Sequence, residues 1–402
     1  MAIDTFSPDR RDPATEPTVR RIGFIPELDG LRGMGALLAV SVHLYMVIIP
    51  KERQLPAELS GTFLWMDMFF VLSGFLITAL LLKEQHSNGR VAFRAFWMRR
   101  GIRLLPALYV LLAVHYLFAL IVDLDMSIEN ESVFYTSVYM LNFRMNNILT
   151  ARVSEGLTQL WSLSVEEQFY LAWPLIVAFL LPLRRRLSTV VIVLSTVIVL
   201  VAARRGLMFR DADGANWFRL YTHTDTRVDS LLMGALMAYL WVHGKLDLNN
   251  RYARKAVEMA AYLSMALVTW LLFNIEMPQA FSYYGGFNLM AICFATIILA
   301  CIQTDWALRP LFVWAPLRKV GEVSYGLYLW HMMVMIVVAR IGSEWDPWAR
   351  AVTAVAGSAG VTYLSWVLVE QPTMRFKARW DTRHDPVPTP APRSEASTVA
   401  GG

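Results

Sequence analysis

The chain is 402 residues long, with 56% apolar residues, 17% charged residues and a formal net charge of +5. Soluble globular domains contain about 45–50% apolar and about 25% charged residues. The composition therefore excludes an ordinary soluble protein and indicates a chain whose solvent is lipid.

Apolar stretches long enough to cross a bilayer recur along the whole sequence, since about 20 helical residues span a hydrocarbon core of about 30 Å. Lipid cannot satisfy backbone polar groups, so these stretches are expected to be helices. The predicted fold is an all-α, polytopic membrane bundle of about ten transmembrane helices. The predicted spans are roughly 33–50, 62–82, 103–122, 160–181, 187–203, 227–243, 256–274, 284–302, 321–340 and 348–369.

Basic residues cluster in alternate connections between the spans. With the N-terminus in the cytoplasm, the cytoplasmic segments carry most of the 37 Lys and Arg residues, as the positive-inside bias requires. Both termini are therefore predicted to be cytoplasmic, and the positive charge reflects topology rather than a nucleic-acid partner. The expected regions are a disordered cytoplasmic segment 1–24, a membrane domain 25–372, and a basic, then disordered cytoplasmic tail 373–402.

The first span carries two ionisable residues, Arg32 and His43, which are eleven residues apart. That spacing is about 20° past three helical turns and about 16 Å along the axis, so the two side chains share one face. Ionisable groups inside a membrane are costly and are candidates for function. The alternatives are an interfacial anchor for Arg32 and a hydrogen-bonded packing role for His43.

The second span and the start of the third contain further polar motifs. Ser73-Gly74 lies within the second span, where glycine allows close helix packing. Arg100 and Arg103 are at i and i+3 and share a helix face at the cytoplasmic rim. Two such guanidinium groups are suited to binding phosphates, although the positive-inside bias alone also accounts for them.

The fourth span begins near Trp161 and continues to the adjacent carboxylates Glu166 and Glu167, which are expected near its outer end. Neighbouring residues point about 100° apart on a helix, so at most one carboxylate is expected to face the bundle. An aromatic start is also typical of a helix that begins at the membrane interface. Arg227 and Asp229, at the start of the sixth span, are expected as structural partners of these carboxylates.

The ninth span contains Ser324, Tyr328 and His331 at i, i+4 and i+7. These positions form one polar stripe aimed at a neighbouring helix. Ser324 is too far from His331 within one helix to be its nucleophile, so we interpret it as a binding or packing residue. His331 is either a second catalytic group, the residue that orients the first, or an interhelical hydrogen-bond partner.

Taken in chain order, these motifs resemble the acyltransferase-3 family of bacterial integral-membrane O-acyltransferases. The resemblance covers nearly all of 25–372. It rests on Asp29-Gly30-Leu31-Arg32 with His43, Phe69 through Phe75, Arg100 with Arg103, Trp161 through Gln168, Arg227-Val228-Asp229, Ser324 through His331, and Glu370-Gln371-Pro372. Some members append an extracytoplasmic hydrolase-like domain after the last span, and we expect this chain to be a standalone member without one.

The resemblance implies that an acyl group, often acetyl, moves from cytoplasmic acyl-CoA to a sugar hydroxyl. The acceptor would be a cell-envelope glycan, a glycolipid or a secondary metabolite. The family's essential arginine and histidine of the first span correspond to Arg32 and His43. The expected partners are thus acyl-CoA, a sugar-hydroxyl acceptor and the lipid bilayer, with no permanently bound cofactor and no metal.

Expected roles follow from this resemblance. The catalytic candidates are His43, His331, Glu166 and Glu167. The acyl-CoA-binding candidates are Arg32, Arg100, Arg103, Ser73, Ser324 and Tyr328. Residues expected on the acceptor side or in structural roles are Asp67, Trp161, Arg227 and Asp229, with Asp67 and Arg227 lining an outer vestibule beside the two glutamates.

The expected chemistry centres on His43, as a general base on the acceptor hydroxyl or as a transient acyl carrier. His331 or Tyr328 would orient His43 or stabilise the oxyanion. The alternative function is that of a secondary transporter, which also keeps polar residues at mid-membrane. The two halves of the sequence carry different motifs, however, and cytoplasmic arginines beside an intramembrane histidine favour a CoA donor over an ion.

Overall fold

The computed structural model describes residues 25–49, 60–146, 152–180, 187–277 and 279–376, and these ranges contain helices and connections but no strand. The predicted segment 1–24 and residues 377–402 of the predicted tail lie outside the described residues. The α-helices are α1 Pro26–Ile48, α2 Met66–Asn88, α3 Phe93–Ile121, α4 Met126–Ser137, α5 Trp161–Leu180, α6 Leu187–Asp211, α7 Trp217–Thr222, α8 Thr224–Val242, α9 Arg251–Asn274, α10 Phe287–Gln303, α11 Arg309–Val313, α12 Ala315–Glu322, α13 Ser324–Ile341 and α14 Pro347–Ser365.

Nine helical segments in the described ranges are long and apolar enough to cross a membrane. They correspond to all the predicted spans except the sixth. That span is α8, which has 19 residues but carries Asp225, Arg227 and Asp229 in its first two turns. The protein is therefore a polytopic, all-α membrane protein as predicted, while the cytoplasmic placement of its termini stays a prediction.

Three helical segments that carry predicted site residues begin earlier than predicted. α1 starts at Pro26 rather than near 33, because proline suits the first helical position and acidic residues favour the first turn. α3 starts at Phe93 rather than near 103. A 3₁₀ segment, Glu155–Leu160, precedes α5 and is continuous with it. The Arg32 motif, the Arg100 motif and Glu166 therefore all lie well inside helices.

Glycine lets α2 and α8 meet backbone to backbone. A Cβ atom placed on Gly74 would lie 1.9 Å from the carbonyl oxygen of Leu231, and one on Gly234 would lie 2.0 Å from that of Val71. Neither distance is possible for a real side chain, so both glycines are required for this approach. The close-packing interpretation of Ser73-Gly74 is correct for Gly74.

Glycine also brings α1 against the α11–α12 corner. A Cβ atom on Gly30 would lie 1.9 Å from the carbonyl oxygen of Phe312, and one on Gly321 would lie 1.9 Å from that of Asp29. The glycines that flank Arg32 in the sequence thus face α11 and α12. This contact fixes the start of α1 and leaves Arg32 on another side of the helix.

A buried ion pair joins α2 to α8. Asp67 accepts a hydrogen bond from Arg227 at 2.9 Å and another from the hydroxyl of Ser230 at 2.5 Å. Both side chains of the ion pair are fully buried. The Arg227 guanidinium also lies 3.8 Å from the ring centroid of Phe287, which stabilises the cation within the bundle.

A second buried pair joins α6 to α8. Arg205 donates to Asp229 at 2.7 Å and to the side-chain oxygen of Asn288 at 2.6 Å. The expectation that Arg227 and Asp229 pair with the glutamates of α5 is therefore wrong. Arg227 pairs with Asp67 instead, and Asp229 pairs with Arg205. The sequence does not show that these residues lie next to each other in the fold.

Candidate active site

A cavity of about 360 Å³ opens among α1, α2, α3, α5 and α13, a size typical of small-molecule sites. One part of its wall is apolar and includes Phe69, Leu76, Ile77 and Leu80 of α2. The predicted site residues that line it are Arg32, Ser73, Arg100, Arg103, Glu166, Glu167, Ser324 and Tyr328. The fold therefore gathers into one cavity residues from five separate helices.

Glu167 faces α3, where its carboxylate lies 3.3 Å from Arg100. The Arg100 guanidinium also stacks 3.4 Å from the ring centroid of Tyr170, one turn further along α5. Arg100 is thus held in a fixed plane by a carboxylate at its edge and an aromatic ring at its face.

Glu166 faces α2, where it accepts a hydrogen bond from the hydroxyl of Ser73 at 2.9 Å. The expectation that at most one of the two glutamates faces the bundle is wrong, because the cavity lies between α2 and α3 and spans the angle between the two side chains. Their expected position at the outer end is also wrong. The helical segment starts at Glu155, so Glu166 is eleven residues inside it.

The three cavity arginines differ in how they are paired. Arg100 is paired with Glu167, and Arg32 has a longer contact of 3.3 Å to Asp29 on its own helix. Arg103, by contrast, makes no hydrogen bond or ion pair within the described ranges, although it lines the cavity and its side chain is exposed. Arg103 is therefore the cavity arginine with donors free for an anionic ligand.

Tyr328 connects the cavity to the histidines. Its hydroxyl donates to the carbonyl oxygen of Gln159 at 2.7 Å and lies 2.7 Å from the hydroxyl of Ser162. Its ring centroid is 5.6 Å from that of His331, one turn further along α13. The hydroxyl of Ser324 donates a hydrogen bond to the backbone carbonyl oxygen of Gly321. It is therefore not positioned as a nucleophile.

His43 and His331 form a direct pair between α1 and α13. The Nδ1 atom of His43 lies 2.9 Å from the Nε2 atom of His331, and their ring centroids are 5.0 Å apart. His331 is fully buried. Among the described residues the two rings do not line the cavity, and Tyr328 stands at the boundary between them and it.

The hydrogen bonds assign the protons of this pair. The Nδ1 atom of His331 lies 3.0 Å from the carbonyl oxygen of Leu327, which can only accept a hydrogen bond, so Nδ1 carries the proton. The Nε2 atom of a neutral His331 is then an acceptor. His43 must donate from Nδ1, and its Nε2 atom is left with a lone pair. This arrangement is that of an oriented base.

Four other predicted site residues are not part of the cavity wall. Trp161 packs edge-on against Phe70 at 6.1 Å between ring centroids. Asp67, Arg227 and Asp229 are fully buried in the ion pairs between helices. The prediction that Asp67 and Arg227 line an outer vestibule beside the glutamates is therefore wrong, because both side chains are fully buried.

Sequence reasoning missed two aromatic residues of the cavity. Tyr170 holds the Arg100 plane, and Tyr325 lines the wall while donating to the carbonyl oxygen of Leu104 on α3 at 2.8 Å. Tyr170 is four residues after Glu166, so it shares that residue's helix face. This spacing could have identified it.

A family model described as "Acyltransferase domain" matches residues 25–370. The chain is 33% identical to a provisionally named O-acetyltransferase of Staphylococcus aureus over 79% of this chain and 52% of that protein. It is 30% identical to the peptidoglycan O-acetyltransferase OatA of Listeria monocytogenes over 87% of this chain and 56% of that protein. The chain thus matches about half the length of these curated relatives. No solved structure matches it at a significant level.

Proposed function

The chain belongs to the acyltransferase-3 family, and we propose that it is a membrane O-acyltransferase moving an acyl group from acyl-CoA to a sugar hydroxyl. Acetyl is the acyl group to test first, because the matched relatives are named for acetyl transfer. Family membership also favours this function over that of a secondary transporter.

The observation that carries the proposal is the free guanidinium of Arg103 in a cavity with an apolar wall. Coenzyme A combines anionic phosphates with a long, weakly polar pantetheine arm. The phosphates would bind Arg103 and Arg32 at the predicted cytoplasmic rim. The arm would lie along Phe69 and Leu76 and bring the thioester towards Tyr328.

The formal charges of the cavity refine this proposal. Three cations (Arg32, Arg100, Arg103) and three carboxylates (Asp29, Glu166, Glu167) line it, so the cavity is not uniformly basic. Arg100 is already held by Glu167. We therefore assign phosphate binding to Arg103 first and Arg32 second, while Arg100 keeps the cavity wall rigid.

The proposed chemistry uses the lone pair of His43. Its Nε2 atom takes the proton of the acceptor hydroxyl as the hydroxyl oxygen attacks the thioester carbonyl carbon. The C–S bond then breaks, the ester forms, and the departing CoA sulfur takes the proton back. His331 holds the base in the required tautomer through its 2.9 Å contact.

The acceptor class is proposed as a glycan of the cell envelope, with peptidoglycan tested first because two matched relatives carry that substrate in their names. The test uses purified full-length chain in lipid nanodiscs with acetyl-CoA labelled in the acetyl group and an envelope-glycan fraction. We expect alkali-labile label in the glycan and an equal amount of free CoA thiol. No more label in the glycan with the protein than without it would contradict the proposal.

A further inference from the structure

A second cavity, of about 240 Å³, lies among α3, α4, α13 and the start of the 3₁₀ segment. α3 contributes Arg100 to the first cavity and His115 to the second, about 22 Å apart along the helix axis. α13 likewise contributes Tyr328 to the first cavity and Met333 to the second, with His331 between them. The two cavities therefore approach the histidine pair from opposite ends of the same two helices.

A cluster of three buried polar side chains forms one wall of this cavity. The Nε2 atom of His115 lies 2.7 Å from a carboxylate oxygen of Glu129 and 3.0 Å from the hydroxyl of Ser154. His115 is 2% exposed. A carboxylate can only accept, so Nε2 carries a proton, and in the neutral ring Nδ1 presents a lone pair.

The lone pair of His115 Nδ1 has no partner among the described residues. A buried polar atom without a partner is unusual in native proteins and calls for one. The residue facing it is Gly156, where a Cβ atom would lie 3.2 Å from Nδ1 and 3.1 Å from the neighbouring Cε1 atom. Because glycine stands there, no side chain covers this edge of the ring, although the Nδ1 atom itself is buried. Both residues line the cavity.

The rest of the wall combines donors, acceptors and an apolar face. Arg340 lines the cavity, and within the described part of the chain its guanidinium has no hydrogen bond or ion pair. Glu155 adds an exposed carboxylate, and Phe118 and Ile128 supply apolar surface. A free cation argues against a metal ion as the ligand. A donor and acceptors beside an aromatic ring suit a polyhydroxylated ligand with an apolar face.

The second cavity is also linked to the first through the 3₁₀ segment. Ser154 and Gly156 line the second cavity at its start, and the carbonyl oxygen of Gln159, near its end, accepts from Tyr328 of the first cavity. A ligand that occupies the second cavity therefore touches the segment that positions Tyr328 and lies on the far side of His331 from the donor.

We propose that the second cavity is the acceptor subsite, which binds the saccharide whose hydroxyl is acylated, with His115 Nδ1 accepting from one sugar hydroxyl and Arg340 donating to another oxygen. The claim that the bound saccharide is acylated rests on the proposed function. The claim that the cavity binds a saccharide does not, and it is tested without acyl-CoA.

The experiment measures binding of a fluorescently labelled disaccharide fragment of peptidoglycan to the full-length chain in nanodiscs by equilibrium dialysis. Gly156→Ala covers the Nδ1 edge without changing any charge, and Arg340→Gln removes the free guanidinium. Gly360→Ala is the matched control, since a Cβ atom there meets no other atom within 4 Å. Thermal unfolding of each variant verifies that it is folded.

We expect saturable binding by the wild-type chain and by Gly360→Ala, with Kd raised at least about tenfold in Gly156→Ala and several-fold in Arg340→Gln, and with acetyl-CoA binding unchanged in all of them. No saturable binding by the wild type, or equal Kd values in all variants, would overturn the inference. Saccharide binding at this cavity without any acetyl transfer would instead contradict the proposed function, while the cavity would still be a saccharide-binding site.

Discussion

The Nδ1 atom of His43 and the Nε2 atom of His331 lie 2.9 Å apart, although 288 residues separate them in the chain. The contact fixes the tautomer of both rings, because the second nitrogen of His331 donates to the carbonyl oxygen of Leu327. In the proposed mechanism, His331 is therefore a positioning residue for His43, and the lone pair of His43 is the basic group.

Substitution of His331 should separate this positioning role from simple packing. Glutamine at position 331 can still present an oxygen to the Nδ1–H group of His43, whereas leucine cannot. We expect His331→Leu to lower kcat about 100-fold, as for other misplaced catalytic groups, and His331→Gln to lower it much less. The two variants are compared by acetyl-transfer rate and by the pH dependence of kcat. Equal losses with an unchanged pH profile would show that His331 only packs.

Substitution of Arg103 tests the donor site. Hydrogen bonds to charged groups contribute about 1.5–3 kcal/mol, so Arg103→Gln should raise the KM for acetyl-CoA at least about tenfold. The value of kcat should change less, because Arg103 binds the phosphates and not the reacting atoms. Arg94→Gln, an exposed arginine on the same helix that does not line the cavity, is the control. A KM that rises equally in both variants would point to a general effect of surface charge.

Substitution of Gly74 tests the contact between α2 and α8. An added methyl group would lie 1.9 Å from the carbonyl oxygen of Leu231, so the helices must separate. Overpacking of this kind costs about 1–3 kcal/mol, and Gly74→Ala should lower the thermal midpoint in detergent accordingly. Gly360→Ala, which meets open space, should leave it unchanged. An unchanged midpoint for Gly74→Ala would mean that the helices are farther apart than the structure shows.

The Asp67–Arg227 pair provides a stability test that is independent of catalysis. Removal of one partner of a buried ion pair leaves an unpaired charge and costs about 3–5 kcal/mol. We expect Asp67→Leu and Arg227→Met each to unfold at much lower temperature than the wild type, and the double variant to recover most of the loss. A double variant that is destabilised by the sum of the two single changes would show that the two side chains do not interact.

Much of the fold could be predicted from hydropathy because lipid imposes a simple requirement of length and apolarity. The sixth predicted span, α8, is present but is less apolar than the others, because its first two turns carry three charges. Those charges are tolerated because Arg227 and Asp229 pair with Asp67 and Arg205 inside the bundle. Hydropathy counts residues one by one and cannot detect such pairing.

The site was harder to predict because it depends on which helices are neighbours. Helical spacing correctly placed Ser324, Tyr328 and His331 on related faces, yet it misassigned Glu166 and Glu167. The 3₁₀ segment before α5 moves both glutamates towards the middle of the span, and the cavity is wide enough to admit both. His115, Glu129 and Ser154 belong to none of the motifs of the family resemblance. They are brought together by the packing of α4 and of the start of the 3₁₀ segment against α3.

The most direct test of the account is the rate of transfer of labelled acetyl from acetyl-CoA to envelope glycan by His43→Ala, measured at matched protein amounts in nanodiscs. Loss of a general base typically lowers rates about 10²–10⁴-fold, and we expect a loss in that range with acetyl-CoA binding retained. His86→Ala, which removes an exposed histidine from the last turn of α2, should transfer at the wild-type rate. Transfer by His43→Ala at the rate of His86→Ala would contradict the central claim that His43 is the base.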